Sequence, residues 1–343
     1  MPNAPLSPIG HGDHRYLVHR DWCQPDRSTP PVLNCHEMVQ TKDGRLFMVG
    51  DHPQHQLLIF SPEGKCLHSW GAGWPGGHGL TLADENGEEF LLLSDCGSWS
   101  TGTDWFHQSG RVAKVDLQGR EIFTLGHPMT VGAYSPDMPF HPTETAVAPN
   151  GDIYVADGYG SHYILHYNAH GRFIGLFGGP NPTPSGPALN EPHGIALDTR
   201  KDPLNPTLLV TSRKDHCFHR YTLSGKHLET IHLPGAYVCR PVIHGNELFA
   251  GVCWSDDAHG QLQPASGFLV ILDENNQLLS APGAFDPETP LPATFQKSAT
   301  PSLRGTGLIF EHVHDVCPLD NGDLIICQWN AHQTYPIRLE RCR

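Results

Sequence analysis

The chain has 343 residues, of which 17 % are charged, and a formal net charge of −14 at pH 7. That acidic balance excludes a nucleic-acid binder, which needs a clustered basic face. No stretch reaches the ~18 uninterrupted apolar residues of a membrane span. Gly 36 and Pro 31 rule out a long helical bundle, while 38 % hydrophobic residues suffice to bury a core.

In chain order, the N-terminal string MPNAPLSPIGHGDHRYLVHRDW has no charged region followed by an apolar one, so it does not read as a secretory leader. Its Tyr16 to Trp22 part is predicted as a strand. A repeat follows. The first unit starts at Cys35 with CHEMVQTKDGRLFMVGDHPQHQLLIF. The second starts at Gly76 and ends GRVAKVDLQGREIFTLG. The third, Glu144 to Gly178, has the plainest form, and the fourth begins at Glu191. The fifth is the weakest, from Arg240 through Gly267. The sixth reads HVHDVCPLDNGDLIICQWNAHQTYPIRLERC.

Each unit reads as four short strands with DG, NG, EG, QG or SG between them, expected as tight hairpins. Six such units predict an all-β fold, a six-bladed β-propeller, as one domain over residues 1–343. The N-terminal strand is expected to close the last blade and remove its exposed edge. The Pro-rich stretches Phe177–Pro192 and Ala281–Gly305 are expected as rim loops on one face.

Histidine is the compositional outlier, 24 against Lys+Arg 22. The residue opening each innermost strand should look along the channel. From unit one to six those positions hold His36, His78, Thr143, His193, Arg240–Pro241 and His314. Units two, four and six alternate around a sixfold ring, so His78, His193 and His314 should converge on one point. Three neutral imidazoles with an open fourth position are the catalytic form of a zinc site. His312 is the alternative ligand, and Glu37 and Glu144 follow their units' channel positions. Asp95 and Asp157 end second strands and are expected to anchor turns. The ten cysteines contain no C-x-x-C pair and are expected as buried thiols of a reduced, cytoplasmic protein.

The strings GGHGLTLADENG, TETAVAPNGDIYVADGYGSHYILHYNAHGRFIGLFGG, EPHGIALD with LLVTSRKD, and FEHVHDVCPLDNGDLII resemble the peptidyl-α-hydroxyglycine α-amidating lyase family, a six-bladed propeller of NHL-type repeats. The resemblance spans about residues 30–335. It implies that His78, His193 and His314 are zinc ligands, that Tyr159 is catalytic, and that Arg213 is in the active site. It also implies that Asp315 holds a structural calcium ion. The sequence departs from the family at Val49, where a second active-site arginine is expected, and at His36, where the family has a small residue. Gly160 replaces a disulfide cysteine of the family, its partner position near Phe140 is not cysteine, and the blade-four pair is missing too.

The implied activity is zinc-dependent C–N cleavage of a carbinolamide-type small molecule to an amide and an aldehyde, with Tyr159, Arg213 and His36 as catalytic residues. Tyr159 would need a lowered pKa to act as a base. Two other readings share the fold. One is a metal-dependent hydrolase with His36 or Glu144 as base, and the other is a non-catalytic NHL-type binding propeller. The expected partner is a small-molecule substrate, with no nucleic acid and no membrane.

Overall fold

The computed structural model describes residues 7–71, 73–101, 103–285, 291 and 303–343. Six antiparallel sheets succeed one another along the chain as the blades of a propeller. Blade one comprises Cys35–Gln40, Leu46–His52, His55–Phe60 and Cys66–Trp70. Blade two comprises Gly77–Glu85, Glu88–Asp95, Arg111–Asp116 and Glu121–Thr124, and blade three Glu144–Val147, Ile153–Ala156, Tyr163–Tyr167 and Phe173–Gly178. Blade four is built from Ile195–Asp198, Thr207–Ser212, Cys217–Tyr221 and His227–His232. Blade five has Ala236–His244, Glu247–Asp256, Phe268–Leu272 and Leu278–Ser280.

Blade six takes Val313–Pro318, Leu324–Gln328 and Ile337–Arg341 from the C-terminus. Its outer positions are filled by His14–His19 and Ile9–His11 from the N-terminus. The two ends of the chain are thereby hydrogen-bonded into one sheet, and the ring closes without an open seam.

The core follows from strand alternation. Successive side chains point to opposite faces, so each blade feeds two neighbouring interfaces. In blade one, Leu46 and Met48 pack toward blade six with Cys317, Ile325 and Cys327, while Phe47 and Val49 pack toward blade two with Leu80, Leu91 and Leu93. The same division recurs around the ring, giving one apolar cluster per pair of adjacent blades. No α-helix occurs among the described residues; a single 3-10 turn spans Arg213–Asp215. No helix among them is long and apolar enough to cross a membrane.

Some hairpins are the tight two-residue type, as at Asn86–Gly87 between the paired Glu85 and Glu88, where both turn residues have positive φ; others are longer by a residue. At Asn168–Arg172, the Gly171 N–H donates to Asn168 C=O and the Asn168 N–H donates to Arg172 C=O. This is a three-residue connection with a bulge, and Gly171 sits at φ +74°, where a side chain is strained. Blade five uses Asn276 at that position, with φ +62°. Asparagine tolerates the left-handed region, which explains why this unit carried the weakest repeat signal. The first Pro-rich stretch folds onto blade four, where Ser185 C=O accepts the His227 N–H. Most of Ala281–Gly305 lies outside the described residues.

Candidate metal centre

The inner strands do not simply begin at the channel residues. In blades one, two and six the pairing skips a residue: Cys35 faces Gly50 and Glu37 faces Val49, Gly77 faces Asp95 and Gly79 faces Ser94, and Val313 faces Gln328 and Asp315 faces Cys327. The skipped residues are His36, His78 and His314. A bulge of this kind bends the strand and re-aims its extra side chain, here onto the propeller axis. His193 reaches the same point from the irregular segment just before Ile195–Asp198.

The four imidazoles meet. His193 Nε2 lies 3.1 Å and His314 Nε2 3.3 Å from His78 Nε2, and the His193 and His314 ring centres are 4.9 Å apart. Nitrogens bound to one tetrahedral zinc at 2.0–2.1 Å lie about 3.3 Å from each other, so the spacing fits such an ion. His36 adds a fourth ring, its Nδ1 3.4 Å from His314 Nε2. Candidate ligand atoms fall into two groups, His36–His78–His314 and His193–Cys239–His314, each within 4.8 Å. Cys239, from the bulged inner strand of blade five, was not anticipated. Its only sequence signal is its place one residue before Arg240.

The tautomers suit metal binding. His78 Nδ1–H donates to Thr143 C=O at 2.9 Å, and His314 Nδ1–H donates to His36 C=O at 3.0 Å. Both leave the Nε2 lone pair facing the centre. Burial holds His78, His193 and His314 well below the ordinary histidine pKa, and the neighbouring Arg213 charge adds to this. They are therefore neutral, the form that ligates a cation.

Tyr159 stands in the turn after the second strand of blade three. It is 40 % exposed as a residue, yet its hydroxyl turns inward to 2.9 Å from His193 Nε2 and 3.2 Å from His78 Nε2. Burial of that hydroxyl raises its pKa, and the Arg213 charge only partly opposes this. The protein's own groups therefore do not supply the lowering that work as a base would need.

Arg213 is 2 % exposed and opens the 3-10 turn that follows blade four's second strand. Nη1 donates to Glu191 Oε1 at 3.1 Å and Nη2 to Cys239 Sγ at 3.4 Å, and the guanidinium lies over Trp254. Glu191, delivered by the Pro-rich loop, therefore occupies part of the guanidinium fork. Arg213 Nε has no protein partner.

Asp51 is a further site residue that sequence reasoning passed over, although the string FMVGDH contains it. Asp51 Oδ2 lies 3.3 Å from His36 Nε2, and its carboxylate accepts Asn34 N–H at 3.0 Å and Asn34 Nδ2–H at 2.8 Å. Burial works to raise the Asp51 pKa, but His36 and Asn34 outweigh it and the carboxyl stays below its usual range.

Other expectations are corrected. His312 is not at the centre; it sits between Trp254 and Trp329 and accepts the Ala265 N–H at 3.1 Å. Glu144 is not placed as a base at the histidines, since its Oε1 accepts from Thr81 Oγ1 and Thr145 N and its Oε2 faces Arg240. Asp315 does not offer a calcium site: Oδ1 accepts from Arg240 Nε at 2.7 Å, while Oδ2 accepts from Arg240 Nη2 and Met38 N at 2.9 Å. A calcium ion needs oxygens that are free to bind it, and here a guanidinium has taken them. Asp157 anchors its turn through Tyr134, His141 and Ser161, and Asp95 binds Gly97 N–H. The ten cysteines are free thiols, all buried except Cys66 and Cys342.

No family model matches the chain. It is 33 % identical over 145 residues to a probable peptidyl-alpha-hydroxyglycine alpha-amidating lyase of Caenorhabditis elegans, covering 41 % of this chain and 37 % of the relative. It is 29 % identical over 148 residues to NHL repeat-containing protein 3 of Homo sapiens, covering 42 % and 40 %. The matches thus span about two fifths of the relatives' length. Among solved structures, a streptogramin B lyase matches with a TM-score of 0.51 at 13 % identity over 98 % of this chain and 99 % of that one. A virginiamycin B lyase from Staphylococcus aureus matches with a TM-score of 0.51 at 12 % identity over 90 % and 95 %. At these identities the structural likeness is one of fold. The chain is a six-bladed propeller that resembles the amidating lyases and NHL-repeat proteins.

Proposed function

We propose, from the likeness to amidating lyases, that the chain is a zinc-dependent carbon–nitrogen lyase acting on a carbinolamide-type small molecule. The observation that carries this reading is the Nε2 spacing of 3.1 and 3.3 Å among His78, His193 and His314. These three residues would hold the ion. When bound, zinc would supply Lewis acidity toward the substrate hydroxyl.

The reaction is R–CO–NH–CH(OH)–R′ → R–CO–NH₂ + O=CH–R′. The C–N bond breaks, the O–H pair becomes the second C–O bond, and one proton moves from oxygen to nitrogen. Tyr159, kept neutral by burial, suits the donor to the departing nitrogen. His36, with Nδ1 toward the centre and Nε2 toward Asp51, suits the acceptor of the hydroxyl proton. Arg213 is a buried charge held by Glu191 that would draw a substrate carboxylate toward the centre. With Val49 in place of a second arginine, we assign a small molecule with a single anionic contact. The ten free thiols support a reducing compartment, and we place the chain in the cytoplasm.

The His36–Asp51 pair also favours one second reading, a metal-dependent hydrolase in which His36 takes a proton from water. The deciding experiment measures bound zinc and glyoxylate release from N-acyl-α-hydroxyglycines, in the wild type and in His193→Ala. The lyase reading expects stoichiometric zinc, aldehyde release, and loss of both in the variant. Undiminished turnover by the metal-free His193→Ala chain would sink it. Hydrolysis of lactones or simple amides that survives Tyr159→Phe would favour the hydrolase.

A further inference from the structure

Below the histidines, a second charged cluster closes the propeller axis. Arg240, from the bulged inner strand of blade five, is 8 % exposed. Its Nε and Nη2 donate to the two Asp315 oxygens at 2.7 and 2.9 Å. Nη1 donates to Leu80 C=O at 2.9 Å and lies 3.2 Å from Glu37 Oε2 and 3.4 Å from Glu144 Oε2. Nη2 also donates to Met38 C=O at 3.0 Å. The three carboxylate side chains are fully buried. The acceptors come from blades one, two, three and six, so one guanidinium ties five of the six blades.

Three carboxylates and two carbonyls converging on one buried point form the set of hard oxygen donors that a calcium ion takes. Here the point is filled covalently. We propose that Arg240 is a built-in cation that replaces a structural divalent ion, so that the propeller stands without calcium. Without it, three buried carboxyl groups would face one another across the axis with only bound protons to offset their charge, and burial and the neighbouring Glu144 already push the Glu37 carboxyl well above the usual carboxylate range. The guanidinium supplies the charge, and its planar fork satisfies several acceptors at once. The proposal does not depend on what the histidines hold. A cavity of about 770 Å³, lined by the far ends of the inner strands at Gln40, Glu85, Leu197 and His244, reaches Arg240 from the side opposite the histidines. An added ion therefore has a route to this point.

The test begins with the wild-type chain, dialysed free of loose metal and analysed for calcium and zinc by plasma mass spectrometry. No stoichiometric calcium is expected, and added calcium should not move its Tm. Arg240→Ala leaves the oxygen cage facing a gap. Its Tm should drop by on the order of 10 °C, and calcium chloride, but not magnesium chloride, should recover much of that loss. Arg240→Lys keeps a charge without the fork and should melt between the two, with no response to calcium. Stoichiometric calcium in the wild type overturns the proposal, and so does an Arg240→Ala chain that calcium does not stabilise. Where Arg240→Ala does not fold, the calcium content and calcium response of the wild type and Arg240→Lys decide. Zinc is read separately in the same samples, so failure of the lyase reading leaves this result intact.

Discussion

His36 and Asp51 face each other across blade one, with His36 Nε2 3.3 Å from Asp51 Oδ2 and His36 Nδ1 3.4 Å from His314 Nε2. The carboxylate fixes which nitrogen of His36 looks into the centre, and Asn34 fixes the carboxylate. Asp51→Asn keeps the shape but weakens that orientation. It should lower kcat by about 10–100-fold with little change in KM or bound zinc. The pH profile of kcat should shift as well, and an unchanged profile would reduce Asp51 to a structural role.

Tyr159→Phe removes the hydroxyl that lies 2.9 Å from His193 Nε2. The ring stays, and the residue is already 40 % exposed, so the Tm should hold within a degree or two. Aldehyde release should fall by about 10²–10⁴-fold, the usual worth of a positioned proton donor. Full activity in this variant would remove Tyr159 from the chemistry.

Metal removal should be visible without any assay of turnover. An ion bound only by the folded chain stabilises it by mass action, about 3–4 kcal/mol at 100–1,000 times Kd. A strong chelator should therefore lower the Tm by about 4–6 °C, and zinc should restore it. An unmoved Tm would argue against a resident ion at His78, His193 and His314.

Val49→Arg, which would restore the arginine expected from the family, should damage the protein instead of extending its activity. Val49 is 1 % exposed and packs with Phe47, Leu57, Ile59 and Leu80 between blades one and two. A charge forced into that layer should cost on the order of 3 kcal/mol or more. Urea unfolding measures this directly, and a variant as stable as the wild type would mean that the site has room for the fork.

Acid should weaken the fold through His219 in blade four, which is 5 % exposed. Burial, and then the charge of His227, hold its pKa down to about 4. The unfolded chain takes up that proton at about 6.5. Stability present above pH 6.5 is therefore lost as the pH falls toward 4, by up to about 3 kcal/mol from this group. His219→Gln should unfold with a shallower pH dependence across that window, and an unchanged slope would contradict the assignment.

Much of the fold could be read locally. Strands of period two separated by Gly turns repeat along the chain, and six such units close into a ring whatever their other details. His78, His193 and His314 were legible because a repeat converts sequence position into angular position around the axis. Blade five blurred because Asn276 does the work of a turn glycine, a substitution that backbone conformation permits and a glycine pattern misses.

Sequence alone determined the blade count, the alternating apolar faces and the equivalent repeat positions of His78, His193 and His314, because each follows from local periodicity. Only the tertiary structure decided how the channel residues pair. The bulges that push His36, His78 and His314 onto the axis depend on register with the next strand. Asp51 meets His36 by the same cross-strand register, and Glu191 meets Arg213 through a loop. Arg240 reaches Asp315 across 75 positions of sequence. A lone arginine in a weak repeat carries no local signal of its role. Its partners assemble only when the ring closes and brings three buried carboxyl groups to one point on the axis.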